Sequence, residues 1–378
     1  MNPSAPNDKL LFTPGPLTTS RAVKEAMLVD LGSRDAAFIR TVREIREALV
    51  ELAGGRAPEW TAVPMQGSGT FAVESAISSV VPAEGGILVL SNGAYGRRIA
   101  QIATVHRIPF AVVTVPEHLP VTAEIARDAL AGYPGLTHVA IVHSETTTGI
   151  VNPVEAIGAE VKRAGRRYIV DAMSSFGGIP LDAPAAGIDL LVSSANKCIE
   201  GVPGFAFVVG SREAIAEGAG RARSLSLDLA AQLAGLDRDG QFRFTPPTHA
   251  LLAFRRALDE LRDEGGVDGR ARRYRENAET LDAGMARLGF EAFLPPSLRG
   301  YIITSYRCPA HPRWSFEDFY ARLSSRGFVI YPGKVSDADC FRIGTIGRLH
   351  RRDIEALLDG IAAVLGEMGI DLPKRSED

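Results

Sequence analysis

Seven short apolar runs punctuate the first part of the chain: Thr61–Met65, Ile87–Ser91, Phe110–Val115, His138–His143, Tyr168–Asp171, Asp189–Ser193 and Phe205–Val209. Several are bounded by Gly, Pro, Ser or Asn, which predicts buried strands. Between several of them the apolar positions recur at helical spacing, over Phe71–Val81, Tyr95–His106, Ala123–Ala131 and Pro153–Ala164. Strands and helices in alternation predict an α/β fold: a mostly parallel, seven-stranded sheet covered on both faces, with ligands at the carboxyl ends of its strands. Upstream, Phe38, Val42, Ile45, Leu49 and Leu52 share a helical face that ends at Gly54-Gly55, and Ser20 is placed to cap a helix running through Met27.

Past about Ser224 the pattern changes. Helices are predicted over Asp228–Leu236, Thr248–Glu264, Arg270–Leu288, Phe316–Arg326 and His350–Met368, with strands at Tyr301–Tyr306, Phe328–Tyr331 and Cys340–Ile343. This order predicts a smaller C-terminal α+β domain. The expected division is an N-terminal segment 1–20, a large domain 21–255 and a small domain 256–378. In the first segment Pro14-Gly15-Pro16 forbids helix and shapes a loop.

Composition narrows the partners. The chain has 378 residues, 46% hydrophobic and 23% charged, with a formal net charge of -3, which leaves no basic footprint for nucleic acid. The polar stretch Met1–Lys9 lacks the apolar core of a secretory signal. No apolar run approaches the roughly 18 to 20 residues that span a bilayer, so a cytoplasmic protein is expected. Cys198, Cys308 and Cys340 are too scattered for a disulfide framework or a metal site.

Candidate chemistry gathers where strands end. Lys197 lies between the runs at 189–193 and 205–209, where desolvation disfavours the ammonium and favours a nucleophilic amine. Asp171 ends its own strand 26 residues earlier, one strand–helix–strand unit away, so both can face one crevice. A carboxylate so placed needs a cation, and a pyridinium N–H suits it. Gln66-Gly67-Ser68-Gly69-Thr70 joins a strand to a helix, the setting of a phosphate cradle. Tyr95, in Asn92-Gly-Ala-Tyr-Gly, can stack on a flat heterocycle, and His143-Ser-Glu-Thr-Thr-Thr-Gly149 supplies acceptors and hydroxyls. Each has a plainer reading alone: a snorkelling lysine, a capping aspartate, a tight turn, a tyrosine packed on the next helix, a solvated loop.

Together these motifs resemble the class V, fold type I aminotransferases that use pyridoxal phosphate, over nearly the whole chain. Segments 11–20, 169–180, 193–207, 224–229 and 327–336 look closer still to the branch that passes an amino group from an aminophosphonate to a 2-oxo acid. The resemblance implies that Lys197 carries the cofactor and moves the proton, and that Asp171 keeps the pyridine nitrogen protonated. It implies that Tyr95 stacks on the ring, that Ser68, Gly69 and Thr70 cradle the phosphate, and that Thr146 meets the phenolic oxygen. Ser194 joins the cofactor contacts. Arg342 would grip the substrate anion, and Thr245 would reach the cofactor phosphate of a neighbouring copy in a homodimer. Two positions depart from the phosphonate branch. Arg34 stands where an aromatic is expected and resembles the alanine–glyoxylate and serine–glyoxylate branch, as a second cation for substrate. Phe242 replaces a tyrosine that bonds phosphate in some relatives. Alanine–glyoxylate or serine–pyruvate transamination therefore stays open, and a lyase or desulfurase is a remoter alternative.

Overall fold

The structure, a computed structural model, describes residues 9–333, 335–336 and 338–373. Most of the polar start read above as no signal, and Lys334 of the 327–336 segment, lie outside the described residues.

Seven strands form one sheet in the order Trp60–Gln66, Phe205–Ser211, Leu190–Ser194, Arg167–Asp171, His138–Val142, Ile87–Ser91, Phe110–Thr114. Only Phe205–Ser211 runs against the rest, with Val208 opposite both Val63 and Val192. The strands Ile87–Ser91, His138–Val142 and Leu190–Ser194 are buried along their whole length, which is why they read as unbroken apolar runs. Phe110–Thr114, at the sheet edge, is only partly covered. Helices Gly69–Val80, Ala94–Val105 and Val154–Arg163 match the predicted ones to within a few residues. Because six strands share a direction, the loops after Gln66, Ser91, Val142, Asp171 and Ser194 all emerge on the same side of the sheet.

A second core surrounds a three-stranded antiparallel sheet, Ile303–Arg307, Cys340–Gly344 and Tyr331–Pro332. Phe341 is its centre, with the rings of Phe290, Trp314 and Phe319 5.5 to 5.8 Å away. Helices Gly266–Arg287, Phe316–Ser325 and Arg351–Met368 supply the rest. The single strand expected over Phe328–Tyr331 is two. Phe328–Val329 pairs with Leu10–Leu11, and Tyr331–Pro332 pairs with the Cys340 strand. Ile330, wholly buried in the second core, marks the change of partner.

The N-terminal segment is therefore built in. Leu10–Leu11 runs parallel to Phe328–Val329, Phe12 joins the second core, and the Gly344 N–H donates to the Phe12 carbonyl at 3.0 Å. Among the described residues no helix is long and apolar enough to cross a membrane.

Candidate active site

The strand Leu190–Ser194 breaks into a turn as soon as its apolar residues end. The Ser194 hydroxyl donates to Asn196 Oδ1 at 3.1 Å, and the Glu200 N–H returns to the Lys197 carbonyl at 2.7 Å. Lys197 Nζ donates to the carbonyls of Pro14, at 2.8 Å, and Gly15, at 3.4 Å. A Cβ on Gly15 would lie 2.5 Å from that nitrogen, and its φ of +118° excludes an ordinary side chain as well.

Asp171 closes the neighbouring strand and takes the Met173 N–H at 2.9 Å. Burial pushes its carboxyl up from the usual 3.8 to about 6, with Glu145 adding to the rise and Arg98 and Lys197 opposing it. Lys197 lies close enough to Asp171 for its charge to act on that carboxyl. A folded-state pKa above the unfolded one favours folding below pH 3.8, and this contribution is lost as pH rises through about 6. In the cofactor-free protein, Asp171→Asn should therefore gain on the wild type by roughly 3 kcal/mol between pH 3.5 and 8, at about 1.4 kcal/mol per pKa unit. Urea unfolding at the two pH values measures this, and an unchanged difference would show the carboxyl is not strained by burial.

The glycine turn lies against this carboxylate's loop. Gly67 has φ +108°, and a Cβ on Gly69 would fall 2.3 Å from Met173 Sδ. The helix begins at Gly69, the Ser68 side chain makes no capping bond, and the Phe71 N–H returns to the Ser68 carbonyl at 2.9 Å, so no side chain covers the positive end of the helix from within the turn. Arg98 Nη1 donates to Thr70 Oγ1 at 3.3 Å, and its guanidinium sits 4.9 Å from the centre of the Tyr95 ring. This arginine ties the glycine turn to the aromatic and was not singled out in the sequence.

Glu145 is the other residue that sequence reasoning passed over. It is fully buried and accepts the Tyr95 N–H at 3.1 Å and the Thr147 hydroxyl at 2.5 Å. Burial raises its pKa, with those hydrogen bonds opposing. Its neighbour Thr146 gives its carbonyl to Arg342 Nη1 at 2.9 Å, while Arg342 Nε donates to the Pro332 carbonyl at 2.9 Å. Arg342 is 1% exposed. Burial lowers its pKa, and the Tyr95 phenol, within hydrogen-bonding reach, opposes this. Lys197, Asp171, the 67–70 turn, Tyr95, Thr146 and Arg342 therefore form one connected group.

Arg34 stands apart from Arg342, exposed in a surface cleft of about 380 Å³ that it lines with Phe242, Arg243, Phe244 and Thr245. Gln66 Nε2 donates to the Thr245 carbonyl, which brings that cleft to the edge of the glycine turn. No group of three or more His, Cys, Asp or Glu among the described residues could hold a metal ion. The donor set suits an organic anion instead. It combines a helix N-terminus, a buried carboxylate within the electrostatic reach of Lys197 and Arg98, and a buried guanidinium.

The aminotransferase class-V family profile matches residues 24–306. The chain is 51% identical over 364 residues to a 2-aminoethylphosphonate–pyruvate transaminase of Syntrophobacter fumaroxidans, covering 96% of this chain and 98% of that one. It is 52% identical over 354 residues to the transaminase of the same name from Klebsiella pneumoniae, covering 93% and 96%. Among solved structures, alanine–glyoxylate aminotransferase from Nostoc superposes with a TM-score of 0.88 at 25% identity, covering 97% of each chain. Ureidoglycine–glyoxylate aminotransferase from Bacillus subtilis superposes at 0.89 with 23% identity, covering 99% of this chain and 96% of that one.

Proposed function

The chain belongs to the class-V aminotransferase family, and from that premise we propose that it moves the amino group of 2-aminoethylphosphonate to pyruvate, giving phosphonoacetaldehyde and alanine. The observation that carries this reading is Arg342. It is a buried guanidinium whose hydrogen-bond partners are neutral, two carbonyls and a phenol. A desolvated cation so held attracts an anionic substrate group, and its fork fits phosphonate and carboxylate alike. The two half-reactions present one of each. Relatives named for this reaction match over nearly the full chain.

Class-V aminotransferases as a group depend on pyridoxal phosphate, and these residues suit that cofactor. Ser68, Gly69 and Thr70 would hold its phosphate, with Ser194 nearby and Thr245 contributed by a second copy of the chain. Asp171 would keep the ring nitrogen protonated, which relieves its own burial; Tyr95 would stack on the ring and Thr146 meet the phenolic oxygen. When bound, the cofactor supplies an electron sink for the bond broken next to the amino group. Lys197 would hold it at rest; once the substrate amine displaces that lysine, the freed Lys197 amine would take the proton from the amino carbon and return it one position on. Arg342 sets which carbon that amine faces. Arg34, from the cleft it shares with Thr245, adds positive charge for the incoming anion.

A homodimer fits the apolar side chains left near the glycine turn. Phe71, Leu225 and Phe244 are 50%, 75% and 43% exposed. We place the enzyme in the cytoplasm, with 21–255 as its cofactor-holding part and 256–378 as the smaller one. A desulfurase would need a thiolate, and burial instead pushes Cys198 up to about 12 and Cys340 to about 11.

The test is spectroscopic. Adding 2-aminoethylphosphonate alone to the protein loaded with pyridoxal phosphate should convert the visible cofactor band to the amine form. Pyruvate should restore it. Conversion by alanine or serine but not by the aminophosphonate would move the protein to the glyoxylate branch.

A further inference from the structure

Behind the lysine lies a second polar cluster that none of the roles above uses. Glu200 is 1% exposed and adopts φ +66°, a left-handed conformation that a glutamate rarely takes. Its Oε1 accepts from Arg273 Nη2 at 2.7 Å and from the Tyr274 hydroxyl at 2.6 Å. Arg270, fully buried, donates to the Cys198 carbonyl, and its Nε meets Glu264 at 2.6 Å. The residue on each side of Ile199 in the lysine turn is thus gripped by the Gly266–Arg287 helix.

The same helix face grips the other half of the site. Arg273 Nη1 donates to the carbonyls of Gly347, at 2.6 Å, and Leu349, at 2.9 Å. Asn277 Nδ2 donates to Thr345, at 3.1 Å, and Leu349, at 2.9 Å. These carbonyls follow directly on Cys340–Gly344, the strand that carries Arg342. Residues 270, 273, 274 and 277 fall on one helical stripe, so one rigid rod touches the lysine turn and the arginine strand.

We infer that Glu200, Arg273 and Asn277 are positioning residues that fix the spacing between the Lys197 amine and the Arg342 guanidinium, and so select substrates by the number of carbons between amine and anion. The choice of amine rests on the proposed function; the spacing argument does not. Burying one carboxylate and two guanidiniums, with Glu264 partly buried beside them, is a poor way to gain stability, since the desolvation penalty offsets the attraction. It is a good way to hold geometry, because each guanidinium fork accepts few arrangements. A misplacement of about 1 Å costs on the order of 10²-fold in rate.

The test uses the loaded enzyme carrying Arg273→Gln or Asn277→Leu, with 2-aminoethylphosphonate and 3-aminopropylphosphonate as paired amines. The second variant acts only on the arginine side and removes an Asn277 Oδ1 that is itself buried without a partner, so it decides alone if the first does not fold. Expected is a fall of about 10²-fold in kcat/KM for the shorter amine and under about 10-fold for the longer, so that discrimination collapses. Borohydride trapping of the cofactor on Lys197, read by mass, should stay stoichiometric, and the melting temperature should hold within a few degrees. Equal losses on both amines, with discrimination unchanged, would reduce the cluster to a structural brace and overturn the inference. Loss of trapping together with the melting transition would do the same. If the wild type accepts neither aminophosphonate, the functional reading has failed. The inference is then read on the amine it does accept and that amine's one-carbon homologue.

Discussion

Lys197→Ala should leave a folded protein whose transaminase turnover is down by at least about 10⁴-fold, the combined loss expected if Lys197 is both covalent anchor and proton carrier. The structure explains why folding should survive. Lys197 is only part-buried, and its amine answers the carbonyls of Pro14 and Gly15. The backbone turn around it is held by other bonds, from Glu200 N–H to the Lys197 carbonyl and from Gly201 N–H to the Ala195 carbonyl at 2.9 Å. Stopped-flow spectra with amine, beside a thermal melt, separate the two effects. Turnover near the wild-type rate would take Lys197 out of the chemistry and with it the assignment.

Arg342→Ala should act differently, lowering kcat/KM for both aminophosphonate and pyruvate by about 10²- to 10³-fold, the 2 to 5 kcal/mol typical of a buried charged partner removed. Cofactor affinity should fall far less, because Arg342 touches only Tyr95 and Thr146 among the proposed cofactor contacts, while Ser68, Gly69, Thr70 and Asp171 lie on other elements. The Thr146 and Pro332 carbonyls lose a donor, so a drop of a few degrees in melting temperature should accompany the kinetic loss. Equal weakening of cofactor and substrate would place Arg342 in the cofactor site instead.

Much of this was legible because burial leaves a mark on composition. Leu190–Ser194 and Phe205–Ser211 are enclosed on both faces, so their apolar runs stand out, and Lys197 stands out between them. Residues at strand ends declared themselves because small and polar types follow apolar ones abruptly, as at Gly67, Asn92 and Asp171. The helix Arg212–Glu217 left no such mark; one turn and a half, capped by Ser211, is too short for a period to show. Arg270, Arg273, Tyr274 and Asn277 were hidden for the opposite reason. Polar residues at helical spacing look like a solvated face, and only the chain packed over them shows that they face inward. Glu145 was inside a segment singled out for its hydroxyls, yet nothing in the order of its letters says that the carboxylate turns back to Tyr95. Arg34 was legible as a departure but not as a location.

The strap over Lys197 has a consequence for how the protein is made. Pro14 and Gly15 leave the ribosome long before Phe328–Val329, the partner of the Leu10–Leu11 strand that leads to them. Closing so long a loop is among the last steps a chain can take during synthesis. The large sheet and its lysine turn are complete in sequence by Ser211, more than a hundred residues before the strap can be tied down. For that interval the Lys197 amine of the nascent chain lacks the strap whose two carbonyls hold it in the folded protein.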